Sequence, residues 1–168
     1  MVRERDLSEA WMEKCNSSMQ LTRAADYGVR VMVHLAKIPR DHRALLPAIG
    51  AATSAPESFL SKVLQALARA RLITSRRGPA GGFQISLRGR QASMLEVVEA
   101  VDGPLKLNVC LTDKRSCPRK AWCPAHQVWV KAQEALLGVL SNALISDLAS
   151  GNFRGIPILV DRKTGTGD

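Results

Sequence analysis

The sequence predicts a mainly α-helical fold with one small β-hairpin, and three observations carry that expectation. Hydrophobic residues make up 46% of the 168-residue chain while aromatics make up only 4%, a balance that suits helices packed on helices. Apolar residues recur at intervals of three and four through several long segments. One turn dense in Gly and Pro, RRGPAGG, is flanked by the short β-prone segment LITS and by FQISL, which alternates with period two. The length allows one domain with a proper core, or a small domain plus an oligomerisation element.

Residues 1–18 read as a polar N-terminal extension, and Met19 followed by QLTRAADYGVRVMVHLAKIP reads as a fresh start. Thr22 is placed to cap a helix in which Tyr27, Val31, Leu35 and Ile38 recur at helical spacing until Pro39 closes it. After RDHRA, the segment LLPAIGAAT gives a second short helix with Pro47 in its permissive first turn. A third helix follows in SAPESFLSKVLQALARARL, with Ser54 and Glu57 in capping-box relation and Pro56 in its permissive first turn. Leu60, Val63, Leu64 and Leu67 form its apolar face, while Ser58, Ser61, Lys62, Gln65 and Arg69 lie opposite. Such a helix pair has an apolar face to dock and a polar face to enter a groove, and the hairpin directly after it completes a winged helix-turn-helix module over 19–103.

SMLEVVEAVDG then forms a further helix, with Ser93 and Glu96 as a second capping box and Gly103 as its stop. Segment 104–123 is a cysteine-bearing loop. From Pro124 the sequence predicts one continuous helix over 124–150, about seven turns at 3.6 residues each. Trp129, Ala132, Leu136, Leu140, Ala143 and Leu148 trace its apolar stripe. So long a helix is hard to bury within one small subunit, so it is expected to be a dimerisation helix of a homodimer. The tail, 151–168, is expected to fray, with IPILV as a segment able to dock.

Twenty-four Lys and Arg against fifteen Asp and Glu give a net charge of +9, enough to attract a polyanion. Between Thr53 and Arg90 there are seven Lys or Arg (62, 69, 71, 76, 77, 88 and 90) and one acid, Glu57. The excess charge is concentrated where a groove would lie, which favours double-stranded DNA over a diffuse membrane attraction. No run approaches the roughly 18 apolar residues of a membrane span. The charged N-terminus lacks the apolar core of a signal peptide, so a cytoplasmic protein without a membrane partner is expected. Four cysteines in a reducing compartment are not a disulfide framework, and Cys15 stands apart from the other three as a bystander.

MQLTRAADYGVRVMVHLA, the wing RRGPAGGF, the helix EVVEAVDG, the three-cysteine loop and the final helix together resemble the IscR/NsrR-type iron-sulfur regulators, over about Met19 to Ala149. The resemblance implies a dimeric repressor rather than an enzyme, with no small-molecule substrate. Its binding to a DNA operator would be controlled by an iron-sulfur cluster, 2Fe-2S or 4Fe-4S, that senses nitric oxide, redox state, iron or cluster supply. It also implies that Ser58, Ser61, Lys62 and Gln65 face bases or phosphates in the major groove. Arg76 stands at the wing entry and Arg77 is placed to enter the minor groove. Ser61 stands where IscR-like members carry a glutamate, so their operator preference does not carry over.

The stretch CLTDKRSCPRKAWCPAH sets Cys110, Cys117 and Cys123 at spacings wider than the C-x2-4-C knuckles of structural zinc sites. Wide spacing suits the larger body of an iron-sulfur cluster, held by thiolates at several irons. Lys106, Lys114, Arg115, Arg119 and Lys120 would favour the thiolate form. Zinc and unmetallated cysteines remain alternatives, as does a thiol-based redox protein using Cys123 at a helix N-terminus, although the sequence has no C-x-x-C. Two residues compete for the position that three cysteines leave open. His126 follows Cys123 by one helical turn, and in IscR-like proteins a histidine at this spacing ligates a 2Fe-2S cluster. Asp26 matches the aspartate that in some NsrR-like proteins reaches a 4Fe-4S cluster from the other subunit. The first two cysteines are separated by six residues, where IscR-like members have five.

Overall fold

A computed structural model describes residues 21–78, 81–112 and 117–152 of the chain. The extension 1–18 with Cys15, the pair Lys114 and Arg115, and the tail from 153, including IPILV, lie outside the described residues. The elements run α1 (Arg23–Lys37), α2 (Leu46–Thr53), α3 (Glu57–Arg69), β1 (Ile73–Arg76), β2 (Gly82–Ile85), α4 (Leu87–Gln91), α5 (Met94–Asp102), a 3-10 turn (Val109–Leu111), α6 (Pro124–Asn142) and α7 (Ile145–Ser150). This is the mainly helical winged fold that the sequence predicts.

The local signals act as expected at several helix starts. The Thr22 hydroxyl accepts from the Ala25 N–H at 3.2 Å and donates to Asp102 Oδ1 at 2.6 Å, so it starts α1 and ties it to the end of α5. Ser93 and Glu96 form the reciprocal capping box of α5. Ser54 departs from the expectation. It adopts the left-handed conformation, φ 54°, as the C-cap of α2, and α3 begins at Glu57, so Pro56 is its N-cap residue rather than part of its first turn and supplies no side-chain cap. The helix-turn-helix corner needs the chain to reverse there, and a residue in that conformation cannot also serve as an N-cap with extended backbone.

α1 lies at the centre, packed against α2, α3, α5 and α7. Val31, Met32 and Leu35 of α1 meet Ile49, Leu60, Leu64, Leu67, Val97 and Ile145, and all are nearly or fully excluded from solvent. Burying each such side chain stabilises the fold by about 1.5–3 kcal/mol. Gly28 permits the close approach of α5, since a Cβ there would sit 3.1 Å from the Val101 side chain. In the wing, Ile73 pairs opposite Ile85 and Arg76 opposite Gly82. Ala44 adds a two-bond antiparallel bridge to Phe83, and Gly82, at φ 123°, lets it approach, because a Cβ would meet the Ala44 carbonyl at 2.7 Å.

The single helix expected over 124–150 is two helices. α6 ends at Asn142, and the chain then runs extended beside the start of α5. The Met94 N–H donates to the Ala143 carbonyl at 2.7 Å, and the Ile145 N–H donates to the Ala92 carbonyl at 2.9 Å. These bonds use the backbone groups that a continuous helix would need. Ile145 is fully buried and α7 packs on α1, so Ala143 and Leu148 of the predicted stripe belong to this chain's own core.

Candidate functional site

The polar face of α3 is built by what holds its other face. Leu60, Val63, Leu64 and Leu67 are almost wholly buried, which leaves Ser58, Ser61, Lys62 and Gln65 exposed along one side. Ser61 Oγ donates back to the Glu57 carbonyl at 3.3 Å. Arg76 closes β1 and Arg77 follows it, both exposed. The structure therefore brings all six sequence-predicted residues onto the solvent-facing surfaces of α3 and the wing. Between those two elements lies a shallow cleft of about 180 Å³, with Leu46, Leu64 and Phe83 among its apolar residues and Ser61, Gln65 and Ser75 among its polar ones.

The seven basic residues of 53–90 divide in two. Arg90 donates to the Ala36 and Ile38 carbonyls at 2.8 and 2.9 Å and closes the C-terminal end of α1. Arg88 donates to the Ala70 carbonyl at 2.9 Å and pairs with Glu96 at 3.5 Å. Lys62, Arg69, Arg71, Arg76 and Arg77 are exposed and make no such bond among the described residues, whereas Arg88 is exposed as well as bonded.

Beyond α5, the chain crosses to the cysteine segment without helix or strand until the 3-10 turn. Cys110 lies in that turn at 8% exposure, while Cys117 and Cys123 are half-buried, and none of these three is in a disulfide. Cys123 is the N-cap of α6, Pro124 takes the first position, and the His126 N–H donates to the Cys123 carbonyl at 3.1 Å. Among the described residues, the His126 ring nitrogen Nδ1 is buried without a hydrogen-bond partner. A buried, unsatisfied polar atom costs about 1–3 kcal/mol and calls for a specific cause. Among the described residues, no group of three His, Cys, Asp or Glu side chains is gathered tightly enough to hold a single metal ion. Asp26, half-exposed on α1, pairs with Arg30 at 2.7 Å, and Arg30 also lies 5.9 Å from the Tyr27 ring centre.

One residue at this junction escapes sequence reasoning. Gln133, buried on α6, donates from Nε2 to the Leu105 carbonyl at 2.7 Å and accepts at Oε1 from the Leu107 N–H at 2.8 Å. Its only sequence signal is a polar residue on the helical stripe that Trp129 and Leu136 define. Along α6, Val128, Trp129 and Val139 are exposed, and Trp122 just before it is 71% exposed. α6 packs against α5 and the 3-10 turn. Among the described residues, no helix is long and apolar enough to cross a membrane.

A family model described as Rrf2, iron-dependent transcriptional regulator, matches residues 21–151. ORF2 of Azotobacter vinelandii, named as an HTH-type transcriptional regulator, is 30% identical over 150 residues, which span 89% of this chain and 91% of its own. Rv1287 of Mycobacterium tuberculosis, named in the same way, is 31% identical over 136 residues, 79% of this chain and 83% of its own. Among solved structures, CymR, the global cysteine regulator of B. subtilis, superposes with a TM-score of 0.64 at 23% identity, covering 79% of this chain and 97% of that one. IscR of T. potens superposes at 0.63 with 21% identity, covering 79% and 88%. These two structures share the fold.

Proposed function

The chain belongs to the Rrf2 family of helix-turn-helix transcriptional regulators, and from that premise we propose that it is a homodimeric, cytoplasmic repressor whose operator binding is controlled by an iron-sulfur cluster on its cysteine segment. The observation that carries the cluster is His126 Nδ1, buried, without a partner among the described residues and one turn beyond Cys123. Three free thiols at wide spacing and an imidazole nitrogen without a partner among the described residues form a donor set that fits such a group. Cys110, Cys117 and Cys123 would hold it, with His126 or Asp26 of the partner subunit in the remaining position. A bound cluster, 2Fe-2S or 4Fe-4S, supplies a centre sensitive to oxidants, nitric oxide and iron supply.

The chain's own residues do the rest. Ser58, Ser61 and Gln65 face bases or phosphates in a major groove, Lys62 meets a phosphate at its edge, and Arg76 and Arg77 of the wing reach phosphates on the way to the minor groove. The exposed apolar face of α6, with Val128, Trp129 and Val139, covers its counterpart in a second copy. Cys110 follows α5, which packs on α1, while Cys123 begins α6. The shape of the cysteine segment therefore sets the spacing between the two wings. A coupling of about 1–3 kcal/mol would change operator affinity about 5- to 150-fold.

A second reading, direct thiol oxidation, is favoured by the half-buried free thiols of Cys117 and Cys123. The absorbance spectrum of protein purified without oxygen, with iron and sulfide analysis, separates the two. Visible iron-sulfur bands that disappear in C123A support the cluster, and a colourless, iron-free protein that changes DNA affinity on mild oxidation supports the thiol reading.

A further inference from the structure

Among the described residues, Gln133 is the one buried polar side chain of α6, at 7% exposure. Its amide uses both ends on one short stretch of backbone: Nε2 donates to the Leu105 carbonyl and Oε1 accepts from the Leu107 N–H. The two groups are two residues apart, so the side chain stands in for one rung of a sheet ladder. The Leu105 N–H donates in turn to Glu99 Oε1 of α5 at 3.4 Å. Leu105 is therefore held from α5 on one side and from α6 on the other. Three residues beyond Leu107 lies Cys110, the most buried of the three cysteines in the segment. The amide thus closes the base of the segment that leaves α5, carries the cysteines and enters α6.

We propose that Gln133 is the positioning residue that couples the cysteine segment to α6, keeping Cys110 buried and turning a change in the segment into a movement of the long helix. The proposal rests on the regulatory reading of the cysteine segment but concerns transmission, not the centre itself. Only an amide of this length serves both contacts. Methionine keeps the length and the burial but leaves the Leu105 carbonyl and the Leu107 N–H unpaired. Glutamate keeps the acceptor for Leu107 and, when ionised, has no donor for Leu105.

The test uses the full chain as wild type, Q133M and Q133E. In metal-free protein, alkylation of Cys110 is followed by peptide mass spectrometry, with Cys123 as the internal reference. Loss of two hydrogen bonds from a local opening equilibrium should speed Cys110 alkylation about tenfold in Q133M. Q133E should restore protection of the Leu107 amide against hydrogen exchange while leaving Cys110 faster than in wild type. The change in duplex-DNA affinity on anaerobic reconstitution with iron and sulfide should shrink in Q133M, with metal-free DNA binding retained. An unchanged Cys110 rate, or an undiminished DNA response in Q133M, overturns the proposal. If wild type itself shows no DNA response, the regulatory reading fails, and the Cys110 and Leu107 measurements still decide whether Gln133 holds the segment. If Q133M does not fold, hydrogen exchange in wild type decides: slow exchange at Leu107 supports the clamp, and exchange as fast as an exposed, unpaired amide overturns it.

Discussion

Replacing Lys62 and Arg77 together by alanine tests where the DNA-facing charge lies. Both side chains are exposed, one on α3 and one at the wing, and no ion pair engages either among the described residues. Their charge is therefore available to phosphates, unlike that of Arg90, whose guanidinium is engaged by two carbonyls at the end of α1. Each phosphate contact contributes about 0.9 to the slope of log affinity against log salt, so the double variant should lower the slope by about 1.8. Over a fourfold rise in salt, wild type should then lose about 12-fold more affinity than the variant. Fluorescence anisotropy with a labelled duplex at several salt concentrations measures this directly. Identical slopes in a variant with unchanged circular dichroism would refute the placement of both residues on the phosphates.

Other perturbations should behave differently. Arg90→Met removes two charge-assisted bonds to the end of α1 and should cost about 2–4 kcal/mol in urea unfolding while leaving the salt slope unchanged. Ile145→Ala empties a fully buried site where α7 meets the core and should cost about 2–5 kcal/mol; a loss under about 0.5 kcal/mol would mean that α7 does not dock. His126→Leu removes an unpaired buried nitrogen, so metal-free thermal stability should hold or rise by up to about 1 kcal/mol while iron retention falls. A large loss of metal-free stability would show that Nδ1 has a protein partner after all.

The features legible in the sequence are those decided within a few residues. Thr22 and the Ser93–Glu96 box cap the helices they precede, and the wing pairs Ile73 with Ile85 across the Gly-rich turn. Ser54 shows the limit of such signals, because the same S-x-x-E spacing is present but the helix-turn-helix corner takes the residue into another backbone conformation. The short helix α4 is similar: Ser86 caps it, but the alternation of FQISL extends the strand reading across its start. The break before α7 is not written locally at all. It comes from pairing with Ala92 and Met94, about fifty residues earlier, which outcompetes a sequence that would otherwise continue as helix. In the candidate site, cysteine spacing and the exposed face of α3 are visible in the chain. The greater burial of Cys110, the burial of His126 Nδ1 without a partner among the described residues and the grip of Gln133 on the linker are tertiary facts that no spacing encodes.

The most direct measurement is duplex-DNA affinity, compared between metal-free and anaerobically reconstituted protein, for wild type and for the variant with alanine at 110, 117 and 123. Wild type should show a difference of about 5- to 150-fold, accompanied by bound iron and sulfide, and the variant should show neither. Equal affinities for the two wild-type forms, or an unaltered response in the variant, would contradict control of DNA binding by a cluster on these cysteines.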